Sequence, residues 1–198
     1  MKLSKGLITL LIVVGVLFLA YAWIKNSYNT MVMQEEQVTT AWSQVENVYQ
    51  RRADLVPNLV ATVRGYASHE RETLEEVVNA RARATQTTID PTNMTPQAMA
   101  NFQNAQGELS QALGKLMVVV ERYPDLKANQ NFLELQAQLE GTENRITVER
   151  QKFNEASRMY NTTIRQFPKN MLAGMFGFER KEYFEATAGA ETAPVVEF

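Results

Sequence analysis

Leu126–Phe167 reads LKANQNFLELQAQLEGTENRITVERQKFNEASRMYNTTIRQF, forty-two residues without a proline. As one continuous helix it would be roughly 63 Å long, at a rise of about 1.5 Å per residue. Leu135, Leu139, Ile146, Phe153, Tyr160, Ile164 and Phe167 follow one another at gaps of three, four and seven. That heptad-like stripe is buried only against another helix, and Pro168 stops it. Such a helix needs a partner along its length, and Tyr28–Thr85 is the only other segment long enough. There Val38, Trp42, Val45, Tyr49, Val56, Leu59, Val63, Tyr66 and Val77 recur mostly by threes and fours, the spacing of one buried helix face. Pro57 lies inside this run. It lacks an N–H and crowds the carbonyl four residues back, which predicts a kink or a helix restart near Leu55–Pro57.

Between the two long segments, Thr87–Thr95 with Asp90-Pro91 reads as a loop, and Thr95-Pro96 as a helix N-cap followed by proline in the first turn. The helix from Pro96 to about Arg122 presents Met99, Phe102, Leu109, Leu113, Leu116 and Val120 inward, and Tyr123-Pro124-Asp125 breaks it. Lys169–Phe184 is predicted as a short terminal helix, and Ala186–Phe198, small and Gly/Pro-containing, as a mobile tail. Val118-Val119-Val120 is the one run of three valines, and it lies within a helical pattern. The fold class is therefore all-α. The expected architecture is an elongated antiparallel bundle of about four helices, two of them long, behind a single N-terminal transmembrane helix. The corresponding division is an anchor over residues 1–25, a helical domain over 26–185 and a flexible tail over 186–198.

The anchor is Gly6–Ile24, nineteen residues without a charge between Lys5 and Lys25. As a helix it spans roughly 28 Å, close to the ~30 Å hydrocarbon core of a bilayer. Ala20-Tyr21-Ala22 after a basic start also describes a secretory signal with its cleavage site. The apolar run, however, continues through Trp23 and Ile24, and a Tyr/Trp pair followed by lysine makes an interfacial belt. The expectation is a retained anchor. Lys2, Lys5 and the amino terminus precede the span, whereas Lys25 is the only basic residue after it before Arg51. The positive-inside rule then puts the N-terminus in the cytoplasm and the helical domain outside it.

Beyond residue 25 the chain has 17 Lys and Arg against 22 Asp and Glu. That acidic balance, with no basic block, argues against a nucleic-acid surface. With no cysteine, disulfides, thiolate metal sites and covalent c-type haem are excluded.

The anomalies are charges where the stripes call for hydrophobes. Arg52 and Glu70 occupy such positions in the first long segment, while Thr142, Glu149 and Arg150 fall between or beside the stripe residues of the last. With Asp54, Asn58, Glu143 and Asn144 around them, these residues form a candidate structural polar layer: Arg52, Asp54, Asn58, Glu70, Glu143, Asn144 and Arg150. In an antiparallel pair, Arg52 could meet Glu149, and Glu70 a facing arginine. Such a layer sets helix register. The other reading of the same residues is a ligand site between helices. A roomy cavity converging on Arg52, Asp54, Glu70 and Arg150 would favour that reading, and direct side-chain pairing would sink it.

These residues also carry a resemblance. It includes Tyr28-Asn29, Trp42, Arg51-Arg52-x-Asp54-Leu55-x-Pro57-Asn58-Leu59-Val60, Gly65-Tyr66-x-x-His69-Glu70, Ala80-Arg81-Ala82 and Tyr123-Pro124-x-Leu126-Lys127. It continues through Leu139-Glu140-Gly141-Thr142-Glu143-Asn144-Arg145-Ile146, Arg150, Asn154, Tyr160-Asn161, Phe167-Pro168, Gly177-Phe178 and the closing Pro194-Val195-Val196-Glu197-Phe198. Taken together, this spacing resembles the LemA family over essentially the whole chain. The resemblance implies a bacterial inner-membrane protein with one N-terminal span and a helical-bundle domain. It brings no catalytic residues.

The residues themselves suggest no enzyme. His69 is the only histidine, and Ser68-His69-Glu70 lacks the positioned nucleophile and oxyanion hole that a triad needs. Charged neighbours make His69 a poor haem ligand, and the bundle di-metal pattern requires two Glu-x-x-His motifs. No cofactor or metal is called for. Two features point to partners instead. Met171–Phe178 is a methionine-rich apolar run whose Met171, Met175, Phe176 and Phe178 suit a partner subunit or the membrane. Pro194–Phe198 is an extended end with a free carboxylate after Phe198, able to add to a sheet edge or enter a carboxylate-binding domain. The expected function is a membrane-anchored scaffold or adaptor acting by protein–protein contact, held in the bilayer by Gly6–Ile24. The alternatives are a receptor or enzyme using the polar cluster and a purely structural homo-oligomer.

Overall fold

The first helix, α1 (Lys5–Tyr66), carries Pro57 without interruption. Proline has no N–H to offer the carbonyl of residue 53. In the computed structural model, which describes residues 4–91 and 93–185, that carbonyl accepts a hydrogen bond from Arg81 Nε at 2.7 Å. Arg81 lies on α2 (Arg71–Gln86), so a side chain of the neighbouring helix supplies the missing donor, and no restart at Leu55–Pro57 is needed. The break in the Tyr28–Thr85 pattern comes instead at residues 67–70, where Glu70 N–H bonds the Ala67 carbonyl at 3.1 Å in a tight turn.

The third helix, α3 (Pro96–Val120), starts as its sequence implies: Thr95 Oγ1 accepts from Ala98 N–H at 3.1 Å, and proline fills the first turn. It runs antiparallel to α2, as the pairs Glu76–Lys115 and Arg83–Glu108 show. A single turn, α4 (Pro124–Lys127), follows. The last long helix, α5 (Gln130–Arg165), therefore begins four residues later than Leu126. Asn129 sets its start, with Oδ1 accepting from Phe132 N–H at 3.0 Å and Nδ2 reaching the Tyr66 hydroxyl at 2.9 Å. Among the described residues there is no strand. The chain is an all-α helical bundle.

A correction falls after Pro168. Instead of one helix to Phe184, α6 (Lys169–Phe176) has eight residues and stops at Gly177, which sits at φ 75° in the left-handed region that suits glycine. Residues 178–185 are not helical, so their backbone groups need partners elsewhere. The tail at 186–198 lies outside the described residues.

Residue contacts divide the chain into two compact units. One joins Met1–Thr40 to Glu155–Lys181; the other joins Ala41–Asn154 to Glu182–Phe198. In the second unit, apolar side chains of α1, α2, α3 and α5 make one core, including Val56, Leu59, Val77, Leu109, Leu116 and Leu139. α1 and α5 are antiparallel there, as Arg52 with Glu143 and Tyr66 with Asn129 show. The first unit buries Met31, Val38, Tyr160, Ile164, Leu172 and Ala173. Its α1 begins with the apolar run, whose large side chains from Leu7 to Ile24 are all exposed. A soluble helix of that composition would bury them. This stretch is long and apolar enough to cross a membrane.

Candidate functional site

Arg52 sits on the buried face of α1 with only 2% of its side chain exposed. Its Nη1 donates to Glu143 Oε1 and Ser110 Oγ, each at 2.8 Å, and its Nη2 donates to Gln106 Oε1 at 2.6 Å and the Gln106 carbonyl at 3.2 Å. The Tyr49 ring lies 5.1 Å from the guanidinium carbon. Gln106 in turn donates from Nε2 to the Ala84 carbonyl at 3.1 Å, filling one of the open acceptors in the last turn of α2. One arginine thus ties α1 to α3 and α5 directly, and to α2 through Gln106. Burial pushes the Tyr49 phenol above its ordinary pKa, opposed by the cations of Arg150 and Arg52.

Apart from Glu143, and Arg150 beside the Tyr49 phenol, the other polar-layer candidates do not converge on this point. Arg52 meets Glu143 rather than Glu149, whose carboxylate pairs with Lys152 on its own helix at 2.8 Å. Glu70 caps the far end of the α2–α3 pair, accepting from Arg122 Nη2 at 3.1 Å and Tyr123 Oη at 3.0 Å. That hydrogen bond raises the Tyr123 pKa. Asp54 is exposed and takes Gln50 Nε2 one turn away at 2.8 Å, while Asn58 and Asn144 face solvent. His69 is exposed in the turn before α2.

Arg150 joins the Tyr49 phenol to a second constellation. Its Nη2 donates to the Glu185 carbonyl at 2.8 Å, and its guanidinium lies 4.6 Å from the Phe184 ring centroid. Asn154 holds Phe184 by both backbone groups: Nδ2 donates to the carbonyl at 3.0 Å and Oδ1 accepts from the N–H at 2.8 Å. The Phe184 ring is buried, stacked on Trp42 at 5.8 Å and edge-on to Phe153 at 5.5 Å. In the first unit, Asn161 treats Lys181 the same way, at 2.8 Å to the carbonyl and 2.9 Å from the N–H. The Lys181 ammonium, its side chain 4% exposed, reaches Glu35 Oε1 at 2.8 Å and lies 5.8 Å from the Tyr160 ring. Burial, with the Glu35 carboxylate nearby, pushes the Tyr160 pKa up.

These asparagine clamps are functional-looking residues that the polar-layer reading missed. A legible signal existed: Phe153-Asn154 and Tyr160-Asn161 repeat an aromatic–asparagine pair at seven residues along the α5 stripe. An amide beside each buried ring can satisfy the backbone of a non-helical segment laid across it.

Space for a ligand is modest. A cleft of about 70 Å³ is bordered by Tyr49, Ala53, Phe102 and Gln106. An open face of α1 exposes Asn29, Val32, Met33, Glu36, Gln37 and Thr40. Among the described residues, no group of three or more His, Asp or Glu could hold a metal ion.

The LemA family model matches residues 41–198. The chain belongs to the LemA family. This LemA-family chain is 28% identical to magnetosome protein MamQ 1 of Paramagnetospirillum magneticum, over 98% of the chain and 78% of that protein. It is 26% identical to magnetosome protein MamQ of Magnetospirillum gryphiswaldense over the same shares. Protein LemA of Metamycoplasma hominis is 21% identical over 89% of the chain and 76% of its own length. The clamp residues Arg150, Asn154 and Asn161 and the buried Arg52 all fall inside the stretch matched to the LemA family.

Proposed function

We propose that this LemA-family protein is a membrane-anchored scaffold that works by binding other proteins and catalyses no reaction. One observation carries the reading: α1 is a single helix that begins as an exposed apolar span and continues into a bundle whose buried charges are consumed by internal pairing. Arg52, the deepest candidate for ligand chemistry, already has four hydrogen bonds to protein groups. The direct pairing of Arg52 and of Glu70 takes support from the receptor or enzyme alternative.

One surface open to partners is the exposed face of α1. Asn29, Val32, Met33, Glu36, Gln37 and Thr40 make a single stripe at three- and four-residue spacing, with Val32 and Met33 exposed. An amphipathic helix of another protein fits such a stripe. Lys2 and Lys5 ahead of the span support a cytoplasmic N-terminus, with the bundle on the opposite side of the inner membrane. The likeness to magnetosome proteins extends over 98% of the chain, span included, and agrees with work beside a membrane.

The test is photo-crosslinking in native membranes from a benzoylphenylalanine placed at Val32 or Met33. Discrete adducts to other proteins are expected from both positions. Adducts to lipid alone, or to no molecule, would refute the scaffold reading. Truncation after Ala188 asks the same of the tail, which should alter the co-purifying set while leaving the helical circular dichroism unchanged.

A further inference from the structure

We infer that α6 is a membrane-surface helix, its Met171 and Met175 edge seated in the headgroup layer of the same bilayer that α1 crosses. The inference rests on the anchoring reading of Gly6–Ile24. Its carrying observation is a ring contact: Tyr28 of α1 meets Phe176 at 4.9 Å and Phe178 at 5.6 Å, both edge-on.

Tyr28 lies four residues past Ile24, the last apolar residue of the span. Four residues of helix rise about 6 Å. A bilayer of about 40–45 Å around a ~30 Å hydrocarbon core leaves roughly 5–7 Å of headgroup layer on each side. The Tyr28 ring is therefore at headgroup depth, and the end of α6 is held beside it. Tyr28, Phe176 and Phe178 then form an interfacial aromatic cluster, beyond the Tyr21 and Trp23 of the span itself.

The exposed face of α6 matches that depth. Leu172 and Ala173 are buried, whereas Met171 is 65% and Met175 74% exposed, and Phe167 in the turn before α6 is 81% exposed. Met171 and Met175 are spaced by four and share one side of α6. Lys25 closes the span, Arg165 ends α5 and Lys169 opens α6, basic residues of the kind that complement anionic headgroups beside interfacial helices. In water, these large apolar side chains on one short helix and in the turn before it would be an unsatisfied surface. At headgroup depth they meet acyl chains.

The chain has no cysteine, so single-cysteine variants can be nitroxide-labelled cleanly. Met171→Cys, Met175→Cys, Leu17→Cys within the span and Ser68→Cys, exposed in the 67–70 turn, are compared in the full chain. The chain is reconstituted in phosphatidylcholine vesicles containing phosphatidylglycerol, and collisions with oxygen and with a water-soluble nickel chelate are measured. The labels at 171 and 175 should favour oxygen over nickel several-fold relative to Ser68, at a depth shallower than Leu17. Water-like ratios at both positions, with Leu17 lipid-like, overturn the α6 assignment alone. A water-like Leu17 overturns the anchor itself, and α6 with it. Spin–spin broadening at 171 or 175 that is relieved by dilution with unlabelled chain shows a second copy covering the face, which also overturns the assignment.

Discussion

Two buried cations in this molecule look alike and are built differently. Arg52 and Lys181 each pair at 2.8 Å with one glutamate that keeps partial access to water: Glu143 at 42% and Glu35 at 35%. Arg52 sits in mid-helix, and its guanidinium makes every contact that matters, to Glu143, Ser110 and Gln106. Lys181 sits on a non-helical segment whose backbone is held by Asn161, while its ammonium makes the ion pair. A planar fork with five donors can join several helices at once; an ammonium is a point charge that anchors one place. The first pair sets how helices are assembled, and the second fastens the non-helical segment 178–185 as a strap.

The largest expected effect separates these roles. Glu143→Ala leaves the Arg52 charge buried without its counter-ion, and should lower the unfolding free energy of the full chain by about 3 kcal/mol or more. Arg52→Met removes the charge as well as the pair and should cost less, roughly 1–2 kcal/mol. Urea unfolding in detergent, followed by circular dichroism, checks both. Equal losses would mean that shape, not charge, decides the site.

Next in size is the strap. Asn161→Ala strips partners from the Lys181 N–H and carbonyl, both in buried surroundings, and should reduce local stability by roughly 2–3 kcal/mol. Glu35→Ala should act on the same place more weakly. Hydrogen exchange should quicken at residues 178–185 in both variants, while the bundle amides near Leu109 and Leu116 keep their protection. If bundle protection falls in step, the strap is part of the global fold and the contrast with Arg52 fails.

A smaller effect concerns pH. The raised Tyr160 pKa means that the folded state holds the phenolic proton more tightly than the unfolded chain. The stabilisation is thus fully present below the unfolded value near 10 and is lost as pH rises through the folded value. Tyr160→Phe should flatten the alkaline limb of a stability–pH curve above about pH 10, with little change at neutral pH. An unchanged alkaline limb assigns that limb to other tyrosines. The smallest effect is expected at the surface: Arg83→Ala breaks the pair with Glu108, both half-exposed, and should change stability by less than about 1 kcal/mol.

Much of the fold was legible because helical periodicity is local. The α5 stripe, the Thr95-Pro96 start, the proline after Phe167 and the apolar run to Ile24 each report on backbone conformation within a few turns. What misled the local reading was compensation from a distance. Pro57 looks like a break until Arg81, twenty-four positions on, bonds the orphaned Ala53 carbonyl. Residues 178–184 look helical until Gly177 stops α6 and the asparagines of α5 take over the strap's backbone bonds. In the candidate site, Arg52 was recognisable as a charge in an apolar stripe, but its partners were not, since Glu143 and Glu149 are both plausible until the helices have a register.

Local pattern in the sequence carries the helical class, the apolar span and most of the inward faces, because burial of a periodic stripe depends on side chains a few residues apart. The stripes fail at their ends, where Tyr66 is 45% and Phe167 81% exposed. Only the tertiary structure decided which carboxylate neutralises Arg52, that Asn154 and Asn161 clamp a strap, and that Phe176 meets Tyr28. Each of these is a short-range contact between residues distant in the chain, so its identity exists only once packing has chosen the neighbours.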